Sequence, residues 1–136
     1  MTDRANGEVR VAVVLYGGVS LAVYMSAVCE ELLRLVRGSA DAPGVLDNVE
    51  KIYRELAHKT MPNRGRSRVV IDIITGSSAG GINGVALAKA VTVGAPHLKD
   101  LRSAWLDKVD IDKLLNDKRA LGRPQSLLRG DYIYDT

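Results

Sequence analysis

Cysteine and aromatic residues are scarce in this sequence of 136 residues. It has one cysteine, Cys29, and no phenylalanine, and aromatic residues make up only 4% of the chain. A single thiol excludes a disulfide within the chain and a metal site built from several cysteines, and it fits a cytoplasmic location. Since 46% of the residues are nonetheless hydrophobic, the core is predicted to consist of Val, Ile, Leu and Ala, with Cys29 packed in a helix.

Charged residues are absent between Arg10 and Glu30, a stretch long enough to be mistaken for a membrane span. Its first part is rich in valine and predicts a β-strand, and Gly17 and Gly18 then interrupt it. The remainder runs directly into Glu30 and Glu31 and predicts an amphipathic helix. A water-soluble chain is therefore predicted rather than one that crosses a membrane.

The chain also lacks internal repeats, low-complexity tracts and linkers, so residues 1–136 are predicted to form a single domain. Hydrophobic periodicity predicts strands and helices in alternation. The strands are at residues 9–15 and 69–75, and the helices are at residues 20–36, 46–59, 79–91, about 98–106 and from Ile111 onward. Strands separated by helices of this length predict an α/β layer fold with parallel strands. The helix at 79–91 is apolar nearly all round and is predicted to be buried.

Two clusters of basic residues contribute much of the positive charge in a chain whose formal net charge is +3. Their members are Lys59, Arg64, Arg66 and Arg68 in the first cluster, and Lys118, Arg119, Arg123 and Arg129 in the second. Residues 61–67 are predicted to form an exposed loop, which is either simply solvated or in contact with anionic lipid head groups. No aromatic residues alternate with these charges, which argues against binding of single-stranded nucleic acid.

The sequence Gly76-Ser77-Ser78-Ala79-Gly80 lies directly between a predicted strand and a predicted helix. This is the context of a nucleophile elbow, in which a strained turn thrusts the central serine hydroxyl above the sheet. Gly76 and Gly80 would prevent a collision between strand and helix, and the free N–H groups of the helix N-terminus would stabilise an oxyanion. Ser78 is the predicted nucleophile. The alternative is a glycine-rich turn that only permits tight packing.

A second strand–turn–helix junction occurs at residues 16–22, where Gly17 and Gly18 follow the first predicted strand. Two successive glycines allow the backbone to approach a ligand closely, and N–H groups at a helix start can bind an anion. Because the carboxyl ends of parallel strands meet at one edge of a sheet, both junctions are expected to lie side by side near Ser78.

Together the two junctions resemble the patatin-like phospholipase family, in the form of a divergent bacterial relative, and the resemblance covers roughly residues 9–91. It implies a three-layer α/β/α fold with a mainly parallel sheet, and a serine-dependent hydrolase that cleaves lipid acyl esters through an acyl-Ser78 intermediate. Gly17, Gly18 and Val19 would belong to the oxyanion loop. The resemblance implies neither a metal nor an organic cofactor. The implied partners are a lipid substrate and, at the periphery, an anionic membrane surface.

Two departures from the family pattern bear on activity. The family's loop reads Asp-Gly-Gly-Gly, a variable residue, a basic residue and Gly, whereas residues 16–22 read Tyr-Gly-Gly-Val-Ser-Leu-Ala. The family also pairs the serine with an aspartate in an Asp-Gly-Gly or Asp-Gly-Ala motif after the elbow, and no Asp precedes Gly in this chain. The chain is therefore expected to be the N-terminal part of a catalytic domain, incomplete at its C-terminus and weak or inactive alone.

Other assignments fit these residues less well. Ser20 is a rival nucleophile, but its bulky neighbours would hinder an exposed reactive hydroxyl. His58 and His97 occupy the wrong places in the chain order for a Ser-His-Asp triad and are predicted to be surface residues. Ile82 stands where a nucleotide-binding turn of the dehydrogenase type would need its last glycine. A non-catalytic fragment or docking module is the main alternative to the hydrolase.

Overall fold

The computed structural model describes residues 5–41, 43–59 and 65–108, and it shows two strands and four helices in these ranges. The strands are β1 (Ala5–Leu15) and β2 (Arg66–Gly76). The helices are α1 (Ala22–Ser39), α2 (Asn48–Lys59), α3 (Ala79–Val93) and α4 (Lys99–Lys108), and a 3₁₀ turn (Val19–Leu21) precedes α1. The helix predicted from Ile111, the basic cluster at 118–129 and Arg64 lie outside the described residues.

The two strands pair in parallel and end at the same level. Val13 lies opposite Ile74, and Leu15 lies opposite Gly76. The chain between the strands forms α1 and α2, the kind of helical crossover that a parallel pair requires. The predicted α/β class with a parallel sheet is confirmed. Because the strands end together, the turns that follow them lie at one edge of the sheet.

The core between the sheet and the helices is largely aliphatic. Val13 and Leu15 of β1 are buried in one cluster with Cys29 and Leu33 of α1 and Leu87 of α3. Alternate residues of β1 point into this cluster, as expected for a strand with one covered face. The predicted core of Val, Ile, Leu and Ala is therefore confirmed for most of the cluster, and Met25, Cys29 and Trp105 are buried in it as well.

The opposite face of the sheet is exposed in the part of the chain that the structure describes. Val14 is 55% exposed and Ile73 is 60% exposed, so the helix layer that a three-layer fold places there stays a prediction. α3 likewise has an open side, because Leu87 is buried whereas Val85 is 71% exposed. The prediction that α3 is buried all round is wrong for the described residues, since its apolar side chains meet neighbours on one side only.

Asp47 and Glu50 cap the N-terminus of α2 reciprocally. The N–H of Glu50 donates to Asp47 Oδ1, and the N–H of Asp47 donates to Glu50 Oε2, each at 2.8 Å. This is a capping box, which satisfies two N–H groups that the helix itself leaves unpaired. The buried Glu50 carboxylate also accepts a hydrogen bond from Arg37 Nε at 2.6 Å. The helix therefore begins at Asn48, shortly after the predicted start, and is joined to the last turn of α1.

Arg66 contradicts the prediction of an exposed basic loop at residues 61–67. It opens β2 rather than lying in a loop, and its side chain is fully buried. Its guanidinium donates to the carbonyl oxygens of Ser39 and Ala40 and to the carboxylate of Asp41, all just at the end of α1. A buried charge is tolerated only when it is paired in this way. Arg66 is therefore a structural residue and does not belong to a solvated basic surface.

None of the helices in the described ranges is long and apolar enough to cross a bilayer. α1, which contains much of the uncharged stretch, also carries Glu30, Glu31, Arg34 and Arg37.

Cys29 lies on the buried side of α1, as predicted, and burial raises the pKa of its thiol to about 11.

Candidate active site

Ser78 lies at the tip of the turn between β2 and α3, with its side chain exposed. Its backbone angles are φ 50° and ψ −127°, and it is the one non-glycine residue with a positive φ in the described ranges. Such a conformation is strained and persists only where the surrounding structure enforces it. Ser78 therefore lies at the tip of the strand-to-helix turn, where it was predicted to lie, and its role as nucleophile stays a prediction.

Glycines on either side of Ser78 allow the strand and the helix to approach closely. A Cβ atom at Gly80 would overlap the carbonyl oxygen of Leu15, and a Cβ atom at Gly76 would lie 2.6 Å from the carbonyl carbon of Gly80. Neither position therefore has room for a side chain. The strand and the helix therefore approach each other as closely as the spacing of Gly76 and Gly80 predicts.

The loop at residues 16–18 lies directly against the elbow. The N–H of Ser77 donates to the carbonyl oxygen of Leu15 at 3.1 Å. A Cβ atom at Gly17 would lie 3.0 Å from both Ser77 O and Ser78 Cβ. Gly18 has φ 135°, which favours glycine because a side chain would strain this conformation. The expectation that the two glycine turns adjoin is confirmed. The turns adjoin because the two parallel strands end opposite each other, at Leu15 and Gly76.

The backbone N–H groups around Ser78 are not equivalent. The N–H of Gly17 donates to Ser77 Oγ at 3.1 Å, so this amide is already occupied. Val19 begins the 3₁₀ turn and Ala79 begins α3, and N–H groups at a helix start have no partner within their helix. Of the three predicted oxyanion residues, Gly17 therefore has an engaged amide, whereas the N–H groups of Gly18, Val19 and Ala79 make no hydrogen bond within the described residues.

The electrostatic surroundings of Ser78 favour negative charge. Ser78 precedes α3, whose N-terminal end carries the positive end of the helix dipole, and the first turn of α3 contains no acidic residue. Within the described residues, no carboxylate or imidazole hydrogen-bonds to the Ser78 hydroxyl. This arrangement can stabilise the negative charge of an oxyanion. Activation of the Ser78 hydroxyl additionally requires a general base.

The rival catalytic residues lack either the elbow geometry or the right position. Ser20 lies within the 3₁₀ turn and has no positive φ. His97 follows the end of α3, where its Nδ1 lies 3.2 Å from Glu30 Oε1. A helix of 15 residues is about 22 Å long, so His97 lies at the far end of α3 from Ser78. His58 is exposed on the last turn of α2.

Asn83 is a buried polar residue below the elbow that the sequence analysis missed. Its amide nitrogen donates to the carbonyl oxygens of Ala79 at 2.9 Å and Ala22 at 3.4 Å, which are the first residues of α3 and α1. Its amide oxygen accepts a hydrogen bond from the indole nitrogen of Trp105 at 3.3 Å. Asn83 therefore links the two helices that follow the glycine turns. The only signal in the sequence is an amide side chain in the first turns of a mostly apolar helix.

Similarity to known proteins extends over nearly the whole chain. A family model described as patatin-like phospholipase matches residues 13–136. A protein of Mycobacterium tuberculosis (strain ATCC 25618 / H37Rv), named an uncharacterized membrane protein, is 34% identical over 131 residues. The aligned region covers 91% of this chain and 12% of that protein, so the chain spans only a small part of its relative. No solved structure matches the chain.

Proposed function

The chain belongs to the patatin-like phospholipase family, and on this basis we propose that Ser78 is the nucleophile of a serine-dependent lipid acyl hydrolase. Family membership supports the reaction class, which is the hydrolysis of lipid acyl esters. The observation that carries the serine assignment is the strained conformation of Ser78, exposed at the end of β2 and next to the loop at 16–18. A turn that serves packing alone has no need of a non-glycine residue in this conformation.

In this proposal the Ser78 hydroxyl oxygen attacks the carbonyl carbon of the ester while its proton passes to a general base. The bond from the carbonyl carbon to the alcohol oxygen then breaks, and the alcohol leaves with the proton returned by the base. The acyl group stays on Ser78 Oγ until a water molecule, activated in the same way, releases the fatty acid.

The base governs how active the chain can be. A serine hydroxyl is a weak nucleophile without one. The family resemblance implies an aspartate followed by glycine, and no Asp-Gly pair occurs in the 136 residues. Loss of a positioned base typically lowers a rate by about 10²–10⁴-fold. Weak hydrolysis by this chain alone is therefore part of the proposal.

Backbone amides are the proposed stabilisers of the charge that develops on the carbonyl oxygen. We assign this role to the N–H groups of Gly18, Val19 and Ala79, aided by the dipole of α3. The amide of Gly17 is already engaged by Ser77 Oγ. Gly17 contributes instead by lacking a side chain, which lets the loop lie against the elbow.

Exposed apolar side chains beside the site support a lipid substrate. Tyr16, Leu21 and Tyr24 flank the loop, and each is more than half exposed. Tyrosine suits the boundary between water and lipid, because its ring is apolar and its hydroxyl is polar. The similar protein of M. tuberculosis is named a membrane protein, which agrees with a site that works at a membrane surface. Among the described members of the first basic cluster, Lys59 and Arg68 are exposed and can meet anionic head groups, and Arg68 also lies 3.9 Å from the carboxylate of Asp41.

The test is prolonged covalent labelling with an alkyl fluorophosphonate at high concentration, in which the serine oxygen forms a P–O bond as fluoride leaves and the hydroxyl proton is lost; a slow rate is expected for a chain without a positioned base. Mass spectrometry of peptides from the labelled chain is expected to place the phosphonate on Ser78. Ser78→Ala is expected to abolish labelling, whereas Ser20→Ala, the matched control in the adjacent turn, leaves the rate unchanged. Labelling that persists in Ser78→Ala, or that maps to Ser20, would overturn the assignment.

A further inference from the structure

Ser77 makes three hydrogen bonds, and one of them joins its side chain to the neighbouring loop. Its N–H donates to Leu15 O at 3.1 Å, and its carbonyl oxygen accepts the N–H of Gly80 at 2.9 Å. Its Oγ accepts the N–H of Gly17 at 3.1 Å. The first two contacts use the backbone and are open to any non-proline residue at position 77. The third requires a side-chain oxygen.

We propose that Ser77 is a positioning residue whose hydroxyl holds the loop at 16–18 against the nucleophile turn. The inference rests on the proposed role of Ser78. Leu15 and Gly76 are the last paired residues of the two strands, so the chain has passed the end of the strand ladder when it reaches Gly17. The Ser77 hydroxyl supplies a further link between the two segments at that point.

The loop needs this link because it contains two successive glycines. Glycine has more conformational freedom to lose than any other residue, and it has no side chain that could pack. Yet Gly17 is held so close to the elbow that a Cβ atom would lie 3.0 Å from Ser78 Cβ. The hydrogen bond from the Gly17 N–H maintains this spacing. It also limits the directions in which the next amides, those of Gly18 and Val19, can point.

A simpler role for Ser77 is that of a small residue that merely fits the elbow, and the two roles predict different results. Alanine at position 77 keeps the small size but removes the acceptor for the Gly17 N–H. Threonine keeps the acceptor and adds a methyl group, which the exposed side chain has room for. If the hydroxyl matters, threonine should resemble serine and alanine should not.

The experiment combines two measurements on the whole chain: hydrogen exchange of the Gly17 amide by NMR, and the rate of fluorophosphonate labelling at Ser78. Ser77→Ala is expected to speed exchange at Gly17 and to slow labelling about three- to tenfold, the effect of one lost hydrogen bond. Ser77→Thr is expected to restore both. Thr75→Val, which removes an exposed hydroxyl from the same strand end, is the matched control and is expected to change neither.

Three outcomes would overturn the proposal. Unchanged Gly17 exchange in Ser77→Ala would show that the hydroxyl does not hold the loop. Faster exchange with unchanged labelling would show that the loop contact does not position anything Ser78 needs. The proposal requires Ser78 to react slowly but measurably, so absence of labelling at Ser78 in every form even after prolonged incubation at high probe concentration would remove the proposed function and the positioning role with it. The exchange data distinguish that last case, because they report the Gly17 contact independently of any reaction.

Discussion

The indole nitrogen of Trp105 donates to the amide oxygen of Asn83 at 3.3 Å and so joins α4 to the helix that follows Ser78. Both side chains are buried. Asn83 in turn donates to the carbonyl oxygens of Ala22 and Ala79, at the starts of α1 and α3. One amide side chain thus connects three helices beneath the two glycine turns, and the packing of α4 bears on the shape of the candidate site.

Replacing Trp105 with phenylalanine should destabilise the protein by about 1–3 kcal/mol, because the buried amide oxygen of Asn83 loses its donor. Urea unfolding followed by circular dichroism measures the change. Leu106→Ala, at an exposed position of the same helix, is the control and should cost less than about 0.5 kcal/mol. Equal stability of Trp105→Phe and the unmodified protein would contradict the importance of this hydrogen bond.

Two adjacent glycines of α3 should respond oppositely to alanine. Gly80→Ala forces a Cβ atom into the carbonyl of Leu15 and should cost about 1–3 kcal/mol or more, with loss of labelling at Ser78. Gly81→Ala places its Cβ atom 3.4 Å from the carbonyl oxygen of Gly76, an ordinary contact. This second change should be neutral or stabilise the helix by up to about 1 kcal/mol. Thermal unfolding of Gly80→Ala and Gly81→Ala measures this difference in stability. Similar unfolding midpoints for the two variants would argue against the tight packing of strand and helix at the elbow.

Stability in acid should depend on Asp47. A hydrogen bond from the Glu50 N–H lowers the pKa of Asp47 from its ordinary 3.8, and the charge of Arg34 adds to this against the opposing effect of desolvation. Such a carboxylate stabilises the folded state above its unfolded pKa, and this contribution is lost as the pH falls through the folded pKa. Asp47→Asn should therefore melt at a lower temperature than the unmodified protein near neutral pH, and the difference should shrink below about pH 4.

The control for this pH series is Glu55→Gln, which neutralises an exposed carboxylate of the same helix. Near neutral pH it should change the melting temperature far less than Asp47→Asn does, because surface substitutions away from such contacts have small effects. A difference between Asp47→Asn and the unmodified protein that stays constant down to acid pH would mean that the charge of Asp47 does not contribute.

The thiol of Cys29 should be unreactive in the folded protein. Burial raises its pKa from 9.0 to about 11, so very little thiolate exists at neutral pH. Iodoacetamide should label Cys29 slowly under native conditions and rapidly in denaturant, as measured by intact mass. Because the folded state holds this proton more tightly, stability should also decline as the pH rises from about 9 towards 11. Rapid labelling of the native chain would show that α1 opens readily.

The elbow could be predicted from the sequence because local signals specify it. An isoleucine- and valine-rich run favours a strand, and glycines two residues before and after Ser78 permit the close approach of a helix. The boundaries were less predictable. β1 begins at Ala5 rather than near Val9, since Gly7 and Glu8 pair with β2 through their backbones. The hydrophobic pattern of the sequence indicates where β1 starts only if the first paired residues are apolar. Backbone pairing does not depend on side-chain hydrophobicity, so the pattern misses the first residues of the strand.

The roles of Arg66 and Ser77 could not be predicted, because each depends on a partner distant in the chain. Arg66 lies 27 residues from Ser39, whose carbonyl oxygen accepts its hydrogen bond. Ser77 lies 60 residues from Gly17. A charge pattern predicts exposure because most arginines are solvated, and it contains no information on which carbonyl groups the fold will bring near. Only the tertiary structure supplies these contacts.

If the loop at residues 16–22 offers its ligand backbone groups, as proposed, its side chains are less constrained than its backbone. An amide hydrogen occurs in every residue except proline, so such a role would depend on the path of the chain and would not require particular side chains after Gly18. Gly17 and Gly18 are exceptions, one for lack of space and the other for its positive φ. A search pattern that demands the acidic and basic residues of the usual loop will therefore pass over relatives that have kept the same backbone.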